Sequence, residues 1–326
     1  MLAIGLITSI GLSACSATDS TDVVSGGNIT ATLAEANPRP IATDPHPKLP
    51  VTVHSFDGTD VTVQDSSRII AVDRFGTLAQ TVYALGLGDH LVGRSTAAKI
   101  PAIAGLPNIT PNGEAMSVEA ILALHPTVLL TDTTTGTPAV FEQLHAAGVP
   151  IVFFDPARTL TGTGQQIQAI ADTLGIHDEG VALAQRTTAE IATATAALPA
   201  MNPKLRIAFV YLRGTALTML AGPGSGADAL ITGLGAEDAG TASGLSEPFV
   251  TVTSEAMIAA RPDVLLVMTD GLDSIGGTAG LLKLPGIAQT PAGHSRRIID
   301  MSDSVLLSFG PNTGRVLAAL RSATYR

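Results

Sequence analysis

The chain has 326 residues, 45% of them hydrophobic and 14% charged, with a net charge of −10 at neutral pH. That length accommodates two domains of ordinary size, and the acidic balance argues against nucleic acid as a partner, since nucleic-acid surfaces gather lysine and arginine. The single cysteine excludes an internal disulfide.

Residues 1–15 read MLAIGLITSIGLSAC. The apolar run suits a signal-peptide core and is too short to span a bilayer. It ends in Leu12-Ser13-Ala14-Cys15, which resembles the lipobox of bacterial lipoproteins. The resemblance implies a diacylated Cys15 and a protein held on the extracellular face of the cell membrane by that lipid anchor. Residues 16–50 are rich in Thr, Ala, Asp and Pro and lack periodicity, so a flexible tether is expected there.

An N-terminal α/β lobe is expected over 51–176. It opens on VTVHSFDG and TDVTVQD, whose alternating β-branched residues around Asp57-Gly58 predict a hairpin. Strands are predicted at 68–73, 90–95, 127–132 and 149–155, with helices at 76–86, 117–125 and 138–148. These strands are short and apolar throughout, as in a parallel sheet covered on both faces. TGTGQQIQAIADTLG then reads as a helix, followed without a strand by a second helix over about 178–198. At 1.5 Å per residue the second helix is about 30 Å long, enough to carry the chain between domains. A linker helix is therefore expected over 177–200, ended by MNPK at 201–204.

The C-terminal lobe, 201–326, repeats the grammar of the first. SVEAILALHPTVLL (117–130) and TSEAMIAARPDVLL (253–266) share Glu119 with Glu255, Pro126 with Pro262 and the Val-Leu-Leu of the next strand. In each copy a helix opening near Ser or Thr ends at a proline and feeds a buried strand. The expected fold is α/β: two Rossmann-like lobes joined by a single long α-helix. Ligands of open parallel sheets bind beyond the carboxyl ends of the strands. Candidate cleft loops are therefore 73–76, 112–116, 132–135, 155–158 and 211–213.

The strand KLRIAFVYLR ends by placing Tyr211 and Arg213 two positions apart. Residues i and i+2 of a strand share a face, so phenol and guanidinium are expected side by side. The same spacing also fits a surface Tyr–Arg stack. Catalytic patterns are missing: no G-x-S-x-G occurs, and no histidine accompanies a Ser or Cys as base to nucleophile. An extracellular α/β enzyme would need such a pair. GPGSGADAL (222–230) lacks the Lys-Ser/Thr ending of a P-loop, and the scattered histidines show no zinc-ligand spacing.

The lipobox, the two lobes, the long helix and the paired S-x-E-A helices together resemble the substrate-binding lipoproteins of ABC importers, in the class III group with a rigid helical linker. That group carries siderophores, cobalamin and haem, and the resemblance covers roughly residues 66–326. RIIAVDRFGTLAQTVYALGLGDHLVGRS, FEQLHAAGVPIV and YLRGTALTMLAGPGSGADALI look more narrowly like haem-binding members from actinobacteria. The resemblance implies haem as transported ligand, Tyr211 as its axial ligand and Arg213 as that ligand's support. Ferric haem takes tyrosine as phenolate, and an adjacent guanidinium favours the anion.

The sequence departs from that family in Thr110-Pro111-Asn112-Gly113-Glu114-Ala115-Met116, where Glu114 stands in place of an expected histidine. The distal side is then open, weakly ligated by Met116, or closed by Glu114 through a water. Arg74, Arg94 and Arg158 are candidate cleft-lining cations, and they also suit a ferric-siderophore or cobalamin cargo. By the same resemblance, Glu119 and Glu255 present one carboxylate per lobe to the ABC permease, which works with its ATPase. Each also fits an acidic residue favouring the positive end of its helix.

Overall fold

The computed structural model describes residues 27–111, 113, 115–196, 198–199 and 201–326. Cys15 and the signal-like segment lie outside the described residues. The N-terminal half contributes β1 (Asn28–Ala31), β2 (Val51–His54), β3 (Asp60–Val63), β4 (Ile69–Val72), β5 (Leu91–Gly93), β6 (Val128–Asp132) and β7 (Ile151–Phe154). The C-terminal half contributes β8 (Arg206–Arg213), β9 (Leu217–Ala221), β10 (Glu237–Asp238), β11 (Phe249–Thr251), β12 (Val264–Met268) and β13 (Ile298–Met301).

Strands β5-β4-β6-β7 form a parallel sheet in the N-terminal lobe. The C-terminal sheet runs β1-β13-β12-β8-β9-β11, parallel as far as β8, with β10 also paired to β8. Side-chain alternation feeds two cores per sheet. In β4, Ile69 and Ala71 enter one cluster while Ile70 and Val72 enter another. In β8, Ile207 and Phe209 face the side covered by the C-terminal helix Thr313–Thr324, and Ala208, Val210 and Leu212 face the other. This is the two-lobed α/β fold expected from the sequence.

The internal repeat is also structural. The helices Val118–Ala123 and Ser254–Ala260 are capped by the side chains of Ser117 and Thr253. Both copies turn into left-handed backbone at matched positions, His125 (φ 44°) and Arg261 (φ 45°), just before Pro126 and Pro262. The kink ends each helix and aims the chain into β6 and β12.

The linker helix is His177–Ala196. Its buried residues Gly180, Leu183, Thr187, Ile191 and Ala194 recur every three or four positions, the stripe of a helix lying on a core. Leu183 belongs to the core of the first lobe, Ile191 and Ala194 to that of the second. One helix is thus bonded into both lobes by the hydrophobic effect.

The segment 28–50, expected as tether, is ordered structure instead. β1 pairs with β13 along Asn28–Ala31. Arg315 of the C-terminal helix then donates to the carbonyls of Asn37 and Glu35. Arg39 pairs with Glu190 of the linker helix at 2.8 Å, and the Ile41 and Lys48 amides donate to Ala84 and Gly175 of the first lobe. The strap runs across both lobes because its backbone groups find partners far away in sequence.

Candidate functional site

The carboxyl ends of both sheets face a cleft of about 620 Å³. Arg74, Phe75, Thr96 and Lys99 come from the first lobe, as do Gly113, Ala115 and Thr135. Tyr211, Arg213, Met268, Asp270 and Asp303 come from the second. The lobes touch behind it: Thr77 Oγ1 donates to the Ser308 carbonyl, and Gln80 Nε2 to that of Ser304 at 2.7 Å.

β8 carries Tyr211 on the Ile207–Phe209 face, so its ring is half-buried against the core. Phe249 meets that ring edge-on at 6.2 Å between centroids. Arg213 lies beside it as the alternation requires, its Cζ 4.6 Å from the Tyr211 ring centroid. The guanidinium has two further anchors. Nη1 donates to the Leu212 carbonyl at 2.8 Å, and Nη2 pairs with Asp303 Oδ2 at 3.0 Å.

Asp303 follows β13 and is mostly buried. Burial pushes its carboxyl above the usual carboxylate range, while Arg213 and the Asp270 amide pull the other way. Asp270 in turn reaches across the cleft, its carboxylate 2.8 Å from Lys99 Nζ. Two acidic residues, Asp270 and Asp303, therefore stand between Lys99 of one lobe and Arg213 of the other.

The three candidate cations separate. Arg74 lines the cleft and donates to Thr134 Oγ1 and O from its amide and guanidinium. Arg94 does not line it: Nε and Nη1 are spent on the carbonyls of Ala104 and Ser95. Arg158 does not either. Its side chain is 4% exposed and pairs with Asp132 at 3.0 Å and Asp73 at 3.2 Å, under the Phe75 ring. Met116 is also corrected, being packed with Ile70, Val72, Ile109 and Ile121 in the apolar layer of the first lobe, so its sulfur does not face the cleft. Glu114 and Asn112 lie outside the described residues; their neighbours Gly113 and Ala115 are on the cleft wall.

Glu119 and Glu255 are exposed in the first turns of the two repeat helices. The glycine-rich loop 222–226 spends its amides internally, the Gly224 and Gly226 N–H groups both donating to Asp228. Gly226 (φ 84°) is needed for close approach: a Cβ there would lie 2.9 Å from that of Arg158 in the other lobe.

Sequence reasoning missed Lys99, Asp270 and Asp303. The repeat offered a signal for one of them, because Met268 matches Asp132 at the strand end and Asp270 stands two positions beyond it.

A family model described as "Periplasmic binding protein" matches residues 74–305. This chain belongs to that family. The crystal structure of the haem-binding protein HmuT matches with TM-score 0.88 and 36% identity over 92% of this chain and 97% of HmuT. Solved HmuT structures include alanine variants of a histidine, of a tyrosine, and of an arginine two positions beyond that tyrosine. The periplasmic haem-binding protein RhuT from Roseiflexus sp. RS-1 matches with TM-score 0.75 and 39% identity, over 80% of this chain and 98% of RhuT. The vitamin B12-binding protein of Yersinia pestis is 33% identical over 93 residues, 28% of this chain and 32% of that protein. The chain therefore spans about a third of the length of the curated relatives it matches. The family and the solved neighbours are binding proteins, not enzymes.

Proposed function

We propose that this chain is the haem-binding, lipid-anchored component of an ABC importer, delivering haem from the cleft between its lobes to a permease. The observation that carries the reading is the Tyr211 phenol at the cleft wall with the Arg213 guanidinium on its ring. This is a ligand pair suited to ferric iron, in a fold shared with the haem-binding proteins HmuT and RhuT. Tyr211 is the axial ligand, Arg213 stabilises its phenolate, and Arg74 and Lys99 offer cations to the carboxylates of a porphyrin. Glu114, which in sequence stands between the cleft-wall residues Gly113 and Ala115, is the candidate for the distal side. The lipobox-like Leu12-Ser13-Ala14-Cys15 supports lipidation at Cys15 and a position on the outer face of the cell membrane.

Titrating the purified chain with haemin is expected to give a one-step shift of the Soret band and the charge-transfer bands of a high-spin Fe(III)–tyrosinate. A spectrum equal to that of free haemin plus protein would overturn the proposal. The B12-binding relative supports a second reading, a corrinoid cargo; cyanocobalamin is expected not to displace haemin, and displacement would favour that reading.

Glu119 and Glu255 supply the permease contact, one exposed carboxylate per lobe at matched places in the repeat. Reversing both, Glu119→Lys with Glu255→Lys, is expected to leave haemin affinity within about twofold, because both are exposed, neither lines the cleft, and salt screens exposed charges. Haem-dependent growth or uptake by cells carrying the cognate permease should fall to background. Uptake at the wild-type rate would refute the docking role.

A further inference from the structure

The Arg213 side chain is 44% exposed and lines the cleft, yet its Cζ lies 4.6 Å from the Tyr211 ring centroid. A long, flexible arginine does not keep one place on an exposed aromatic face through stacking alone, because that contact is weak where water competes. The Leu212 carbonyl holds only Nη1. We infer that Asp303 is a positioning residue for haem capture: it fixes the guanidinium of Arg213 over the ring of Tyr211, so that the phenolate meets the iron with its cation already in place.

The carboxylate is built for the task. Its side chain is 12% exposed, in the turn that begins two residues beyond the end of β13. The two oxygens have separate duties. Oδ1 accepts the Asp270 amide at 2.9 Å, which fixes the plane of the carboxylate, and Oδ2 receives Arg213 Nη2 at 3.0 Å. A charge-assisted hydrogen bond from an acceptor held in this way sets both position and orientation of a guanidinium. The dependence is mutual, since burial disfavours the Asp303 anion and Arg213 is the largest influence restoring it. Asp303 also lines the cleft, and its role in capture is exerted through Arg213.

The inference rests on the haem reading above, and a double-mutant cycle tests the two apart. Asp303→Asn keeps the shape and removes the charge. It is expected to weaken haemin binding about tenfold, the worth of a hydrogen bond to a charged group, and to shift the Fe(III)–tyrosinate charge-transfer band. Neither change should appear when Asp303→Asn is added to Arg213→Gln. Asp303→Glu retains the charge but displaces the guanidinium by a methylene, so it should give a smaller loss, again only when Arg213 is present. It carries the cycle if the Asn variant does not accumulate. Equal losses with and without Arg213 would overturn the role, as would Asp303 variants with wild-type affinity and bands. A wild-type chain that fails to alter the haemin spectrum would instead remove the haem reading, and this role with it.

Discussion

Replacing Tyr211 with phenylalanine is expected to remove the charge-transfer bands from the haemin complex and to weaken binding by about a hundredfold. The substitution deletes one oxygen and leaves the ring, so the edge-on contact with Phe249 and the stack under Arg213 both survive. A free phenol ionises near pH 10, so placing it on iron as phenolate at neutral pH costs about 4 kcal/mol before any help. The guanidinium, 4.6 Å from the ring centroid, recovers part of that cost, on the order of a few kcal/mol at an effective dielectric near 20. Asp303 and solvent reduce the gain. What remains of the iron–oxygen bond after these terms is consistent with about 2–3 kcal/mol of net affinity, hence the two decades. Absorption and tyrosine-fluorescence titrations of both proteins measure it, and the absence of tryptophan leaves the tyrosine signal unobstructed. Bands that persist in the phenylalanine variant would show that another residue holds the iron.

That pair was legible in the sequence because strand geometry is local: two residues apart in a buried strand means one face, whatever else the chain does. The lobes were legible for a similar reason. Apolar runs such as Ile69–Val72 and Val264–Met268 are too short for helices and have no polar face, which leaves a sheet covered on both sides. Ser117, Thr253 and the two prolines marked the repeat helices through capping and backbone restriction.

What escaped depends on partners distant in the chain. Residues 28–50 are polar and proline-rich, and nothing within them announces that Arg315 and Gly175 will take up their backbone groups. Met116 and Arg158 each sit in a loop beside the cleft, but a loop position does not say which way a side chain points. Met116 turned into an apolar layer. Arg158 turned toward two carboxylates, and Asp303 became visible only when β13 brought it to Arg213.

Arg158→Met is expected to destabilise the fold by about 3–5 kcal/mol at neutral pH, the range for removing one partner from a buried ionic cluster. Methionine nearly fills the space, so the loss is mainly electrostatic. Asp73 and Asp132 have fully buried side chains, and Asp73 also accepts the Phe75, Thr77 and Leu78 amides at the start of the Thr77–Val82 helix. Even with Arg158 present, burial and the Asp73 charge raise the Asp132 carboxyl above its ordinary range. A raised carboxyl means that the folded state binds the extra proton, so stability falls as pH rises through that window. Without the guanidinium the Asp132 value moves higher still, and the loss should be larger at neutral than at mildly acidic pH. Urea unfolding at the two pH values measures this directly. The haem site should respond as well, because Phe75 lies on Arg158 and lines the cleft, and Gly226 of the second lobe abuts the same side chain. A loss independent of pH would assign the effect to packing and leave the charge cluster without a part in the stability of the first lobe.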